Sequence, residues 1–362
     1  MKEIPSNNLP LNIEEQYAHF FKNTMVNSVY PAKVLKLKNC FVSHEGLVLK
    51  NGFLVKRCAF NLKGKADNTF YYPFWKNTIE QQLVSTYGKS LVLHKFKDKP
   101  LLLIYSKWFN YSFWITDCLL RLILAEEEGW LDKALVIYPD SWEKIPYVVQ
   151  SLEAFNFDKF HLPSGEHLYS KYLIMPETRE WTASFSNSQI IKIQKKMFGE
   201  LEKKMIEKKF PTKIYLTRSG TEWRSIENEK EVVGLIEKFN YSPILFENLT
   251  FWEQVYVMKN TTHFIALHGA GFSNVIFMQN GSRVLELINK QYAELEYKFP
   301  FWQLCNAMNL NYFYQFCEVK NKTTKLFNYK KSSKVTLSDL LVNQNVIVDI
   351  VKLEGNLIKM EK

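Results

Sequence analysis

The sequence predicts an α/β protein made of two successive βαβ domains. Three observations carry the prediction. Short apolar runs have the length of buried strands: LVLHKF, LLLIYS, ALVIYP and YLIMP in the first half, KIYLT, PILFE, HFIAL and RVLELI in the second. Segments of helical period lie between them, which is the alternation of parallel βαβ units. Near the middle, residues 176–189 (PETREWTASFSNSQ) lose all periodicity and are rich in Ser and Thr, which marks a join. A chain of 362 residues is long enough for two such domains.

Taken in order, the first sixty or so residues read as β. VLKLKNCFVS and GLVLK alternate apolar and polar positions, and Asn51-Gly52 between GLVLK and FLVKR is a strong hairpin signal. SFWITDCLLRLILAEEEG reads as a helix stopped by Gly129, and SWEKIPYVVQSLEAF as a second helix. After the join comes a Lys-rich helix, IIKIQKKMFGELEKKMIEKKF, with Ile193, Met197, Leu201 and Met205 expected on one face. The second half opens helices with Asn228 as N-cap and with a capping box at Thr250–Glu253. HGAG after the strand HFIAL leads into the short helix FSNVIFM.

Composition narrows the function classes. With 46% hydrophobic and 23% charged residues the chain is globular, not disordered. Its net charge of +10 suits a polyanionic partner, a diphosphate ligand or an anionic membrane surface, without choosing among them. The lysines are dispersed and no RNP-like or helix-turn-helix pattern is present, so nucleic acid is not an expected partner. Cys40, Cys58, Cys118, Cys305 and Cys317 form no CxxC pair, which argues against a zinc site or a disulfide framework and for a reducing compartment. The N-terminus shows no apolar core of a signal peptide, and the most apolar stretch, 101–125, is broken by Lys107, Asn110, Asp117 and Arg121. The expectation is a soluble, cytoplasmic protein, with peripheral contact at the inner face of the plasma membrane left open.

Ligands of open α/β sheets bind beyond the carboxyl ends of the strands, so the residues there matter most. His268, Gly269, Ala270 and Gly271 follow a strand and open a helix, a place where the backbone can approach a phosphate closely. Asn274 lies in the first turn of that helix, and Glu286, at the end of the next strand, could accept bonds from ribose hydroxyls. Arg218, directly after KIYLT, and Arg224, at the end of the same loop, suit a diphosphate because each guanidinium can hold two oxygens. Asp117 could act as a base toward an acceptor hydroxyl, or simply pair with Arg121 at i,i+4. Asn110 could be a polar contact or a turn residue. For the HGAG segment a tight turn with a packed His and a solvated Glu remains the plain alternative.

The run IYLTRSGTEWRSIENEKEV, then LTFWEQV, then HFIALHGAGFSNVIFMQNGSRVLELI resembles glycosyltransferase family 61. The order of Arg218, Arg224, Asn228-Glu229, Gln254, His268 to Gly271, Asn274 and Glu286 follows the family's pattern. A weaker likeness covers Asn110, Tyr111, Ser112, Phe113 and Trp114, then Asp117 and Arg121, with Phe113 where the family carries His. The resemblance implies a GT-B fold, in which two Rossmann-like domains face a cleft. With the patterns above, the chain divides into a β-rich N-terminal extension (1–62), a small β cap or an edge extension of the first domain, then an acceptor-side domain (63–180), a nucleotide-sugar domain (190–330) and a C-terminal tail packing back (331–362). The resemblance also implies inversion at the anomeric carbon, with no obligatory metal and no cofactor besides the donor itself, a nucleotide-diphosphate sugar, expected to be UDP-linked. The donor is expected on Arg218, Arg224, His268, Gly269, Ala270, Gly271, Asn274 and Glu286, the acceptor on Asn110 and Trp114, and catalysis on Asp117 and His268. The acceptor would be a glycan, lipid-linked in a bacterial capsule or lipopolysaccharide pathway. The competing expectation is a non-catalytic nucleotide- or glycan-binding protein on the same fold.

Overall fold

A computed structural model describes residues 5–27, 32–51, 53–55, 90–92, 99–106, 109–177, 185–219, 224–294, 299–319 and 344–362, together with Val29 and Cys58. The chain divides into two compact units, one formed by residues 1–3 and 29–200, the other by 4–28 and 201–362. The expected borders at 62/63 and 330/331 lie outside the described residues, as do residues 93–96 of LVLHKF.

The first unit holds β1 (Lys33–Val42), β2 (Val48–Lys50), β3 (Phe53–Leu54), β4 (Ser90–Val92), β5 (Leu101–Leu103), β6 (Leu135–Pro139), β7 (Lys159–Leu162) and β8 (His167–Glu177). Among the described residues these form one sheet in the order β3-β2-β1-β8-β5-β6-β7, with β4 also pairing β8. Pairings among β4 to β8 are parallel, whereas β1 runs antiparallel to β8 from Lys33↔Glu177 to Val42↔Leu168. The β-rich region 33–54 thus extends this unit's sheet, joined to it by the pairing of β1 with β8. Asn51 closes the β2–β3 hairpin at φ +51°, a left-handed conformation that Asn tolerates.

The helix after β5 begins with Tyr111–Phe113, widens to a π-helical turn at Trp114–Cys118 and continues as Leu119–Glu127; Gly129 follows at φ +67°. The Lys-rich helix Asn187–Leu201 belongs to the first unit up to Glu200. Ile190, Ile193 and Met197 are buried, and Lys192 and Lys196 pair with Glu127 and Glu126 at 2.7 Å each. Its amphipathic period thus stops a turn earlier than expected, and Met205, placed on its apolar face by spacing, is 95% exposed.

The second unit holds β9 (Lys213–Leu216), β10 (Ser242–Ile244), β11 (His263–Leu267), β12 (Arg283–Asn289) and β13 (Asn311–Cys317). They form a sheet, parallel throughout, in the order β10-β9-β11-β12-β13. The strand order reverses between β9 and β11, which makes their carboxyl ends the switch point where ligands of such sheets bind. Both faces are covered, which accounts for the near-continuous apolar strands. Ile265, Leu267, Leu285, Leu287 and Phe313 share one core with Val232, Leu235 and Ile236 of the helix Glu229–Ile236 and with Leu353, Leu357 and Met360 of the helix Ile350–Met360. The N-terminal segment also belongs here: Asn12 Nδ2 donates to the Tyr314 carbonyl at 2.7 Å and Trp302 Nε1 to the Asn8 carbonyl at 2.8 Å.

Thr250 and Glu253 form the capping box that their spacing predicts. Asn228 does not cap its helix with its side chain. Its amide instead brackets the C-terminal segment, donating to Val348 O at 2.9 Å and accepting from Val348 N at 3.0 Å. Asn228→Ala is expected to destabilise the protein by about 1–3 kcal/mol, because it strands two buried backbone groups. Chemical denaturation measures the loss, and hydrogen exchange should place it at Val348.

Candidate functional site

The candidate site of the second unit is built on the carboxyl ends of β9 and β11. Their register, ending at Ala266↔Leu216, brings the residues that follow each strand side by side. Arg218 comes two residues after β9; His268 comes directly after β11, its backbone N–H bonded to the Leu287 carbonyl at 2.8 Å. Thr217 is fixed by Glu229, whose Oε1 accepts from Thr217 Oγ1 at 2.6 Å and from Tyr215 OH at 2.8 Å. Glu229 therefore holds the strand end from which Arg218 projects.

Gly269 lies where the two guanidinium groups meet. A methyl carbon built on it would stand 2.8 Å from Arg218 Nη1 and 3.8 Å from Arg224 Nη1. Gly271 has the same need for a bare backbone, because its methyl carbon would come within 2.9 Å of Leu216 Cδ2. The small residues of HGAG thus make room for the protein's own side chains. Arg224 has φ +56°, left-handed backbone that costs a non-glycine residue about 1–2 kcal/mol and persists only where the surroundings enforce it. Burial, and then the neighbouring charge of Arg224, lower the pKa of Arg218. Two cations gathered against bare backbone at a switch point form a cradle for an anion.

Ala270–Phe277 following HGAG is a helix, but of the tighter 3₁₀ form. Asn274 is fully buried, and its amide donates to the Gly271 carbonyl at 3.0 Å, bracing the turn from within. Gln254 does the same for the neighbouring loop through the Phe246 and Leu249 carbonyls, at 3.0 and 3.2 Å.

Glu286 corrects the sequence reading. It sits in mid-strand, opposite Ala266 and Tyr314, and is 1% exposed. Its Oε1 contacts His268 Nδ1, and its Oε2 accepts from Tyr312 OH at 2.5 Å. With its two oxygens so engaged, the carboxylate faces the imidazole and not a ribose. His268, Glu286 and Tyr312 lie diagonally across β11, β12 and β13 on one face, with the Phe301 ring 4.9 Å from the imidazole. Tyr312 escaped the sequence reading because it is one aromatic among several in NYFYQFC. The available signal was Glu286 itself: a carboxylate inside the apolar run RVLELI demands buried donors.

In the first unit the expected acceptor-side residues are differently placed. Asn110 caps its helix, accepting from Phe113 N at 3.0 Å, which is the turn role left open above. Trp114 is fully buried, edge-on to Trp142, with its indole N–H on Ser151 Oγ at 2.8 Å. It is a core residue and has no face to offer an acceptor. Asp117, expected as a base, is 1% exposed in the π-helical turn and accepts from Arg121 Nε at 3.0 Å, while Arg121 Nη1 donates to the Pro176 carbonyl at 2.7 Å. A base must reach the acceptor hydroxyl, and this enclosed pairing supports a structural ion pair instead. Asp117→Asn is expected to destabilise the protein by about 3 kcal/mol, because it leaves Arg121 buried without its counter-charge. Thermal unfolding measures this; wild-type stability with lost turnover would restore the base.

The second unit is thus an α/β sheet with two arginines gathered at its switch point. Residues 111–285, just under half of the chain, match the family model described as glycosyltransferase 61. The likeness to that family, read above from the motif series, is shown over this stretch. The EGF domain-specific O-linked N-acetylglucosamine transferase of Drosophila melanogaster is 33% identical over 78 residues, 21% of this chain and 15% of that protein. Its counterpart in Bos taurus is 28% identical over 82 residues, 21% of this chain and 16% of the relative. The match therefore spans about a sixth of the length of these curated relatives.

Proposed function

We propose that this chain is an inverting glycosyltransferase of GT-B architecture. It transfers a sugar from a UDP-linked donor, bound at the switch point of the second unit, to a glycan acceptor. The observation that carries the reading is the convergence of Arg218 and Arg224 over Gly269 at the carboxyl ends of β9 and β11. Preorganised cations there would stabilise the charge that grows on the departing diphosphate, as a metal does in other transferases. Catalysis would then need no divalent ion. N-acetylglucosamine, named in the relatives' activity, is the first donor sugar to test.

For the acceptor, we propose a glycan of the surface-polysaccharide class, lipid-linked and met at the inner face of a bacterial plasma membrane. The +10 charge supports the membrane contact. The helix Asn187–Leu201 contributes less to it than its sequence suggested, since Lys192 and Lys196 are paired with Glu127 and Glu126. No helix among the described residues is long and apolar enough to cross a membrane. The relatives named above are animal proteins that act on EGF domains by name, so an acceptor screen should set lipid-linked oligosaccharides against folded EGF domains. Phe113, standing where the family carries His, favours one second reading, a non-catalytic nucleotide- or glycan-binding protein. Release of free sugar from a panel of nucleotide sugars separates the two.

Arg218→Ala is expected to raise the dissociation constant for UDP at least tenfold, about 1.4 kcal/mol, by titration calorimetry. Unchanged affinity would remove the donor from this site. Turnover is expected to survive EDTA; loss that magnesium or manganese restores would show a metal to be required.

A further inference from the structure

We propose that Asn345 is a positioning residue for Arg224: the segment 345–348 fixes the backbone on which Arg224 sits and so holds its guanidinium near Gly269, where the donor diphosphate is proposed to bind. This rests on the donor assignment above and deepens it. It also extends the site beyond residues 111–285, the stretch that matches the family model.

The starting observation is the backbone of Arg224. Its φ of +56° is a conformation that a residue with a side chain keeps only where its surroundings enforce it. The enforcing contacts lie directly after it. Ser225 N donates to Asn345 Oδ1 at 3.1 Å, and Ser225 O accepts from Val346 N at 3.0 Å. Glu227 N then donates to Val346 O at 2.9 Å, and Ile226 pairs with Val346 as a parallel bridge. With the Asn228 amide on Val348, residues 225–228 lie along 345–348. The N–H of Ser225 shares a peptide plane with the carbonyl of Arg224. A bond to that N–H therefore sets the direction in which the backbone leaves Arg224, and Asn345 makes it with a side chain.

The support is itself anchored. On its other side Ile347 N donates to Glu318 O at 2.8 Å, just past β13, and Gln315 Nε2 donates to Asp349 O at 2.9 Å. Ile226, Val346 and Val348 are buried in the core they share with Ile265 and Leu267 of β11. Asp349 caps the following helix, accepting from Lys352 N at 3.0 Å, and Leu353, Leu357 and Met360 fasten that helix into the same core. The need for such a support is electrostatic. Burial, and then the charge of Arg224, lower the pKa of Arg218, so the two cations feel each other. An arginine on a loose backbone would move away from its neighbour and would have to be re-ordered when a diphosphate binds, at a cost in affinity. Glu229 fixes the chain beside Arg218 through Thr217, and Asn345 fixes it beside Arg224.

Two measurements on the full chain test this. The first is hydrogen exchange without ligand. The Ser225 amide is expected to be protected in the wild type, to exchange faster in Asn345→Ala, and to stay protected in Asn345→Asp, which keeps the accepting oxygen. The Leu353 amide, inside the following helix, is expected to be unchanged in both. Loss of protection at Leu353 along with Ser225 would mean that Asn345 only holds the segment in place, and would overturn the proposal, as would a Ser225 amide indifferent to Asn345→Ala. The second measurement is UDP affinity by calorimetry in a double-mutant cycle. Asn345→Ala is expected to raise the dissociation constant about fivefold in the wild type and by less than about twofold in the Arg224→Ala background. Equal losses in the two backgrounds would show that Asn345 does not act through Arg224. Should Asn345→Ala fail to fold, Asn345→Ser, whose hydroxyl is too short to reach Ser225, takes its place in both measurements. A wild type that binds no UDP defeats the donor assignment and the positioning role with it, whereas the ligand-free exchange judges the hold of Asn345 on the Arg224 backbone by itself.

Discussion

Like charges brought together at low exposure are the constraint from which the second unit is best understood. Arg218 and Arg224 converge on one side of Gly269, and the charge of Arg224 lowers the pKa of Arg218. The fold bears that repulsion through rigid supports. Glu229 ties down the end of β9, Asn274 braces the turn beyond Gly269, and the backbone of Arg224 is kept left-handed. Each of these holds a cation, or the surface beneath it, in a place the isolated loop would not choose. Rigid supports of this kind hold charged groups in fixed places, which is what the proposed donor site requires.

Much of this was legible in the sequence, because the features involved are local. Parallel strands announce themselves as short apolar runs, the capping box at Thr250–Glu253 is a matter of spacing, and Asn51 marks its hairpin. The motif residues Arg218, His268 and Gly269 are likewise found at strand ends, where the topology makes a site. What was not legible depends on partners distant in the chain. Asn228 looks like an N-cap until Val348 is placed beside it. Trp114 and Asp117 sit in a segment that reads simply as a helix, and only the pairings with Ser151 and Arg121 show both side chains to be interior. Glu286 was recognised as important and misplaced by half a strand, since a sequence gives no register between β12 and β13.

Two buried carboxylate pairings among the described residues differ in kind. Asp117 and Arg121 are enclosed with each other, and the arginine's remaining reach is spent on a backbone carbonyl. Such a closed pair specifies packing and has little left to offer a ligand. His268 and Glu286 lie instead next to the cationic cradle, with the imidazole 10% exposed and its carboxylate partner 1%. A carboxylate buried behind a histidine beside the proposed donor site holds the imidazole in place and is itself out of a ligand's reach.

The membership of residues 4–28 in the second unit bears on how the chain is made. Residues 4–28 precede the first unit's sheet in the sequence, yet Asn8 and Asn12 find their partners in Trp302 and Tyr314. In synthesis this segment must therefore wait for residues beyond 300, and the strands of the first unit's sheet are made in the meantime. The second unit closes only when residues 4–28 and 201–362 are both present, which makes its folding a long-range event. A fragment beginning after residue 200 would lack part of its own core, so the two units, although each is compact, are not separable by a single cut.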